Sequence, residues 1–225
     1  RRKKKQKNER EKGSGFYLSD DEQKNKKNKK QKPMEVAVDS IDLSSYRVAR
    51  DFDEVYYIPN FLSADEQSRL SDKVYGSAQW TVLGTTGRRL QQWGGSPDAK
   101  LSVVSPLPSY LEELSSKIYK KKFVGAQPNH VLINEYLPGQ GIMPHEDGPL
   151  YTGNFAIISL LSPLLLDFYR KRTESELEKE ENDAKHEGST ALEARRVFSL
   201  WLEPGSLLLI RGFAYTSMLH GIRDV

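Results

Sequence analysis

Cysteine is absent from the 225-residue chain. That removes disulfides, thiolate nucleophiles and Cys-ligated zinc or iron–sulfur centres from the possible chemistries, and it fits a reducing compartment. Histidine is scarce: His130, His145, His186 and His220 are the four, so any metal site must be built from these and from carboxylates. No run approaches the ~18 apolar residues needed to cross a bilayer. The charged start is followed by no apolar segment, so no secretory signal peptide is expected in the chain as given. Apolar residues are also nearly missing from residues 1–32, where Lys, Asn, Gln and Glu dominate. Such a segment cannot bury enough surface to offset its ordering entropy, so residues 1–33 are expected to form a disordered basic arm.

The net charge of +3 conceals a division. Residues 1–32 hold 14 Lys/Arg against the five acids Glu9, Glu11, Asp20, Asp21 and Glu22, a net +9. The remaining 20 basic and 26 acidic residues leave −6. Lys clusters such as residues 26–30 can neutralise phosphates or meet import receptors, and a solvated tail with no specific partner is the alternative. Nucleus and cytoplasm are the expected location, and a monomer is the expected state. The rest of the chain, 34–225, suits one domain with a substantial core.

Val55–Pro59 reads as a short strand ended by proline. Ser63-Ala64-Asp65-Glu66 has capping-box spacing and opens a helix carrying Leu70 and Val74. Ser109-Tyr110-Leu111-Glu112 repeats the signature, and Leu111, Leu114 and Ile118 then share one helical face. Both helices are expected to brace one face of a sheet. From His130 the pattern turns to strands. Residues 130–137 alternate up to Pro138-Gly139, residues 155–161 and 164–169 are apolar, and residues 197–202 and 207–210 flank Glu203-Pro204-Gly205-Ser206. Proline second and glycine third suit a type II turn. Many short strands with tight turns imply a mainly β fold with flanking helices (α+β), a sandwich or small barrel. Residues 170–196 are highly charged and read as an exposed insertion, partly helical near 175–181, with His186 solvent-exposed rather than a ligand.

His145-Glu146-Asp147 concentrates the chemistry. In an extended segment His145 and Asp147 face one side and Glu146 the other. An imidazole and a carboxylate so placed can share one ion, with His220 from a later strand as third ligand. Two histidines and one carboxylate leave positions open on Fe(II) for co-substrate and O2, although zinc accepts a similar set. Asn134 and Tyr136, on one face of the preceding strand, offer an amide and a phenol for a small carboxylate beside the metal.

Asn134-Glu135-Tyr136-Leu137-Pro138-Gly139, then Met143-Pro144-His145-Glu146-Asp147-Gly148-Pro149, then Leu219-His220-Gly221-Ile222, resemble in order the AlkB family of Fe(II)/2-oxoglutarate dioxygenases. Segment 55–222 resembles the homologue-six branch, through Val55–Pro59, Arg89-Leu90-Gln91-Gln92-Trp93-Gly94-Gly95, residues 143–150, Leu166-Asp167-Phe168-Tyr169 and residues 219–222. The resemblance implies a double-stranded β-helix (jelly-roll) core with Fe(II) held by His145, Asp147 and His220. It implies 2-oxoglutarate contacts from Asn134 and Tyr136, with O2 as second co-substrate. The family couples oxidative decarboxylation of 2-oxoglutarate to hydroxylation, typically of an N-alkyl group on nucleic acid that is then lost as an aldehyde. It also places arginines for the co-substrate downstream of the His-Gly-Ile segment. The chain as given stops at Val225, so it is expected to be a truncated product of a longer one.

On the substrate side, Gly84–Gly95 reads as a glycine-flanked loop with Arg88 and Arg89 for phosphate and Trp93 for stacking on a base, single-stranded or flipped. A surface loop with Trp93 packed on the sheet is the alternative. Tyr151 can line the pocket or belong to the core. Oxidative dealkylation of nucleic acid is the leading expectation. A catalytically impaired nucleic-acid-binding protein and a protein or small-molecule hydroxylase on the same scaffold are the alternatives.

Overall fold

Residues 207–210, Leu-Leu-Leu-Ile, break the in–out alternation of a half-buried strand, and a strand without alternation needs partners on both faces. The computed structural model describes residues 41–49, 52–84, 86–95, 105–148, 151–177 and 192–224. Its strands are β1 (Arg47–Ala49), β2 (Phe52–Ile58), β3 (Thr81–Val82), β4 (Arg89–Gly94), β5 (His130–Glu135), β6 (Ile142–His145), β7 (Asn154–Ile158), β8 (Leu164–Arg170), β9 (Arg196–Leu202), β10 (Leu207–Arg211) and β11 (Met218–Ile222). Among the described residues they are accompanied by α1 (Ala64–Tyr75), α2 (Ser109–Lys120) and α3 (Gly212–Ser217), besides a 3-10 turn at Leu43–Tyr46.

The strands form one sheet in the order β1-β2-β10-β7, a second in the order β6-β11-β8-β9 and a third in the order β3-β4-β5, with antiparallel pairing throughout. β10 lies inside the first sheet. Its Leu208 and Ile210 join Val55, Leu166, Phe168, Leu202, Met218 and Ile222 in a core shared by the first and second sheets. Leu207 and Leu209 point the other way, to Ile58, Ile118, Phe123 and Val124. The unbroken apolar run is thus a strand covered on both sides. Each such side chain, once fully buried, stabilises the fold by about 1.5–3 kcal/mol.

β10 is reached through the expected tight turn. Ser206 N donates to Glu203 O at 3.1 Å, and Gly205 takes φ +78°. A Cβ at Gly205 would sit 2.8 Å from Leu62 O, so glycine is required by both conformation and space.

α1 begins with the expected reciprocal cap. Glu66 N donates to Ser63 Oγ at 3.3 Å, and Ser63 N donates to Glu66 Oε2 at 2.9 Å. α2 does not repeat it. Its N-cap is Pro108, already extended at φ −67°, ψ 155°, and no side chain caps the helix. Leu111 N and Glu112 N donate to the Pro108 carbonyl, so Ser109 arrives one position too late to cap. The helices also serve different sheets. Ile118 of α2 packs on the first, whereas α1 meets the third, where Gln91 Nε2 donates to Val74 O at 2.8 Å.

Half of Gly84–Gly95 is not a loop, because residues 89–94 are β4, paired along their length with β5. Its glycines and arginines masked the alternation. The charged stretch 170–196 does join paired strands, with Tyr169 opposite Arg196, and residues 174–177 are helical. His186 and the arm 1–33 lie outside the described residues. No described helix is long and apolar enough to cross a membrane. Residues Val38–Val225 form one unit.

Candidate metal centre

β11 pairs with β6 so that His220 stands directly opposite His145. Cross-strand partners on one face are close neighbours, and the two imidazoles have ring centroids 4.6 Å apart. The approach depends on Gly221, where an added Cβ would lie 2.9 Å from both Ile142 O and Pro144 N. β6 ends at His145, so Asp147 belongs to the irregular segment that follows. It still faces back, with Oδ1 3.9 Å from His145 Nε2. Ligand atoms of His145, Asp147 and His220 all lie within 4.8 Å of one another. Glu146 points elsewhere and pairs with Lys171, whose ammonium also donates to Thr216 O at 2.7 Å.

Surrounding groups prepare this cluster for a cation. His145 Nδ1 lies 2.9 Å from Met143 O, so an Nδ1–H donated to that carbonyl leaves the Nε2 lone pair facing the cluster. His220 is packed against Phe155 at 5.3 Å and Phe168 at 6.5 Å. Burial, helped by the nearby His145, pushes its pKa down to about 4 and keeps the imidazole neutral. Burial raises the Asp147 pKa, and the charge of His145 opposes that rise. Two imidazoles and one partly desolvated carboxylate, converging on one point, are a donor set that fits a divalent metal and leaves coordination positions open.

The third sheet supplies the adjoining groups. β4 pairs with β5 so that Leu90 opposes Asn134, Gln92 opposes Leu132 and Trp93 opposes Val131. Alternation therefore divides the expected substrate residues. Arg88 lies on the Asn134 side, and its Nη1 donates to Asn134 Oδ1 at 2.6 Å and to Tyr136 Oη at 3.2 Å. Arg89 lies on the opposite side, paired with Glu135 through Nη2 at 2.8 Å and stacked over Trp80. Trp93 shares that side and donates its indole N–H to Gln91 Oε1 at 3.0 Å. The structure thus unites Arg88, Asn134 and Tyr136 and leaves Arg89 and Trp93 facing away from them.

Tyr151 packs on His130 with centroids 5.6 Å apart. Its pKa is raised by burial and then by the charge of Asp147. The sequence reading counted His130 among the four histidines and gave it no site role. Its position opposite Gly94 follows only from the β4–β5 register. Asp167 was also missed inside an apolar run. It is wholly buried and receives Arg223 Nε at 2.6 Å, across from Gly221 on β11. A lone carboxylate within an apolar strand was the available signal.

The sequence pattern of the 2OG-Fe(II) oxygenase superfamily matches residues 85–225. A zebrafish (Danio rerio) protein, "Probable RNA/DNA demethylase ALKBH6", is 42% identical over 188 residues, covering 82% of this chain and 76% of the relative. "Uncharacterized protein L905" of Acanthamoeba polyphaga mimivirus is 25% identical over 180 residues, covering 77% of this chain and 75% of its own. The solved structure of OsALKBH1 superposes with a TM-score of 0.51 at 13% identity over 76% of this chain and 85% of that chain, a likeness of fold. The family match spans β6 and β11, which carry His145 and His220, and the core is the double-stranded β-helix of such oxygenases. The chain belongs to the 2OG-Fe(II) oxygenase superfamily and, within it, to the AlkB-type dioxygenases.

Proposed function

We propose that this chain is an Fe(II)/2-oxoglutarate-dependent oxygenase that oxidatively removes alkyl groups from nucleic acid. The convergence of His145, Asp147 and His220 within 4.8 Å carries the reading. Membership of an iron family favours Fe(II) over zinc at these ligands. Iron bound there would supply O2 activation coupled to oxidative decarboxylation of 2-oxoglutarate. The protein's own groups prepare the site. The Met143 carbonyl fixes the tautomer of His145, and the Phe155 and Phe168 rings hold His220 neutral. Asn134 and Tyr136 offer an amide and a phenol to the co-substrate.

Nucleic acid as substrate class is supported by the zebrafish relative, which bears the name of an RNA/DNA demethylase, and by the +9 charge of residues 1–32. Tyr151, packed on His130, gives a ring on which an exposed base can stack. Arg89 and Trp93, turned toward α1, support a substrate role less directly. The Lys clusters of the arm support a nuclear and cytoplasmic distribution.

Anaerobic titration with Mn(II) tests the site. One equivalent is expected to bind the wild-type chain and none His145→Ala; metal retained by the variant would remove the ligand assignment. With Fe(II), 2-oxoglutarate and an N-methylated single-stranded oligonucleotide, succinate and formaldehyde are the expected products. Succinate formed equally without the oligonucleotide would argue against nucleic acid as the substrate.

A further inference from the structure

Among the described residues Asp167 is the one fully buried carboxylate, and it stands in the middle of β8. Its neighbours Leu166 and Phe168 belong to the core shared by the first and second sheets, so alternation turns Asp167 to the opposite face. Three donors hold it there: Arg223 Nε at 2.6 Å, Tyr169 Oη at 3.3 Å and Ser199 Oγ. Ser199 lies directly across from it on β9, and Gly221 lies across from it on β11. Gly221 brings no side chain, and Arg223 reaches back to the carboxylate from two positions further on. A buried ion pair adds little net stability, and its best-attested use is to fix how elements register.

We propose that Asp167 is a positioning residue of the metal centre: through Arg223 it fixes the register of β11 on β8 and so holds His220 opposite His145. The inference rests on the metal assignment above and adds a residue to it. β6 does not set this register alone, because its pairing with β11 is irregular between His220 and Ile222. β8 pairs with β11 without a break from Met218 to Gly221, and Phe168 stands opposite His220. A slip of one residue on β8 would turn His220 to the outer face. A slip of two would keep its face and move the imidazole about 7 Å along the strand, outside the 4.8 Å cluster. Apolar packing opposes the first slip more than the second, because a shift of two puts inward residues into inward places. The Asp167–Arg223 pair opposes both, since either slip carries the guanidinium away and leaves a buried charge unmatched.

The test combines Mn(II) titration by calorimetry, pulsed EPR of the bound Mn(II) to count coupled imidazoles, and thermal melting. Asp167→Asn and Arg223→Met are each expected to weaken Mn(II) about 10- to 100-fold, the usual loss when a group supporting a ligand is removed. Signals from two imidazoles in the wild type should fall to one. The double variant should lose no more than either single one, because both remove the same pair. The contact is a single Nε bond, so Arg223→Lys, which keeps charge and reach, should restore most of the affinity. Arg223 is 46% exposed, so its variants test the idea even where Asp167→Asn fails to fold. A lower melting temperature with full Mn(II) affinity and two imidazole signals would make the pair a prop of the sheet and overturn the proposal. Weakening in Asp167→Asn but not in Arg223→Met, or additive losses in the double variant, would also overturn it. Wild-type protein that binds no Mn(II) would defeat the metal assignment itself, and that failure shows before any substitution.

Discussion

At position 221 a hydrogen in place of a side chain sets how near two histidines can come. Gly221 lets β11 close on β6, since a Cβ there would meet Ile142 O and Pro144 N at 2.9 Å and Pro144 Cα at 3.0 Å. Those atoms are backbone or proline ring and have little freedom to yield. Gly221→Ala should therefore displace His220 from His145 and weaken Mn(II) binding about tenfold or more, in the range seen when groups supporting a ligand are disturbed. Gly125→Ala, with nothing within 4 Å, is the matched control. Equal Mn(II) affinity in the two variants would show that the strands adapt. The role of this glycine was readable only through the family pattern, because the clash involves a strand some 80 positions upstream. The ligand types were legible for a simpler reason: two histidines and an H-x-D carboxylate are rare in a chain with four histidines.

Helix α1 shows what local chemistry can and cannot disclose. Its capping box spans four residues and was readable as spelled. The reach of Glu66 beyond the cap was not. Its carboxylate also accepts from Lys117 Nζ on α2 at 2.6 Å, which ties the two helices together. Lys117, and then the Ser63 backbone, hold the Glu66 carboxyl below its ordinary value. A carboxylate with a depressed folded-state pKa adds stability above its unfolded pKa and loses it as pH falls through the folded one. Denaturant unfolding from pH 6 down to about pH 3 should thus show a wild-type loss that Glu66→Gln lacks. Both side chains are about a third exposed, so the difference should stay below about 1 kcal/mol. Identical pH dependence in the two proteins would assign the loss to other carboxylates. β4 failed in the opposite direction: its alternation lay hidden among glycines and arginines. Once β4 pairs with β5, the same alternation explains why neighbouring Arg88 and Arg89 serve opposite faces.

Across the whole molecule the charge is divided, +9 in residues 1–32 and −6 in the rest. Attraction to phosphate should therefore reside in the arm. Deleting residues 1–32 is expected to weaken binding to single-stranded nucleic acid and flatten its salt dependence, by about 0.7 in the log–log slope for each phosphate that the arm no longer neutralises. Mn(II) binding should stay intact. An unchanged slope would make the arm a bystander. The sandwich was legible at this scale from strand lengths and turns. The third sheet and the assignment of each helix were not, because they depend on register between distant segments. One consequence of that register remains. Tyr169 faces Arg196, and Arg170 N donates to Arg195 O at 3.0 Å, so the charged stretch leaves and re-enters the sheet through one gap. Closing a loop costs only ~0.6 kcal/mol more for each doubling of its length. The gap is thus a socket, where segments can be lengthened, shortened or exchanged with little strain on the sandwich, provided Lys171 keeps its hold on Glu146 at the rim.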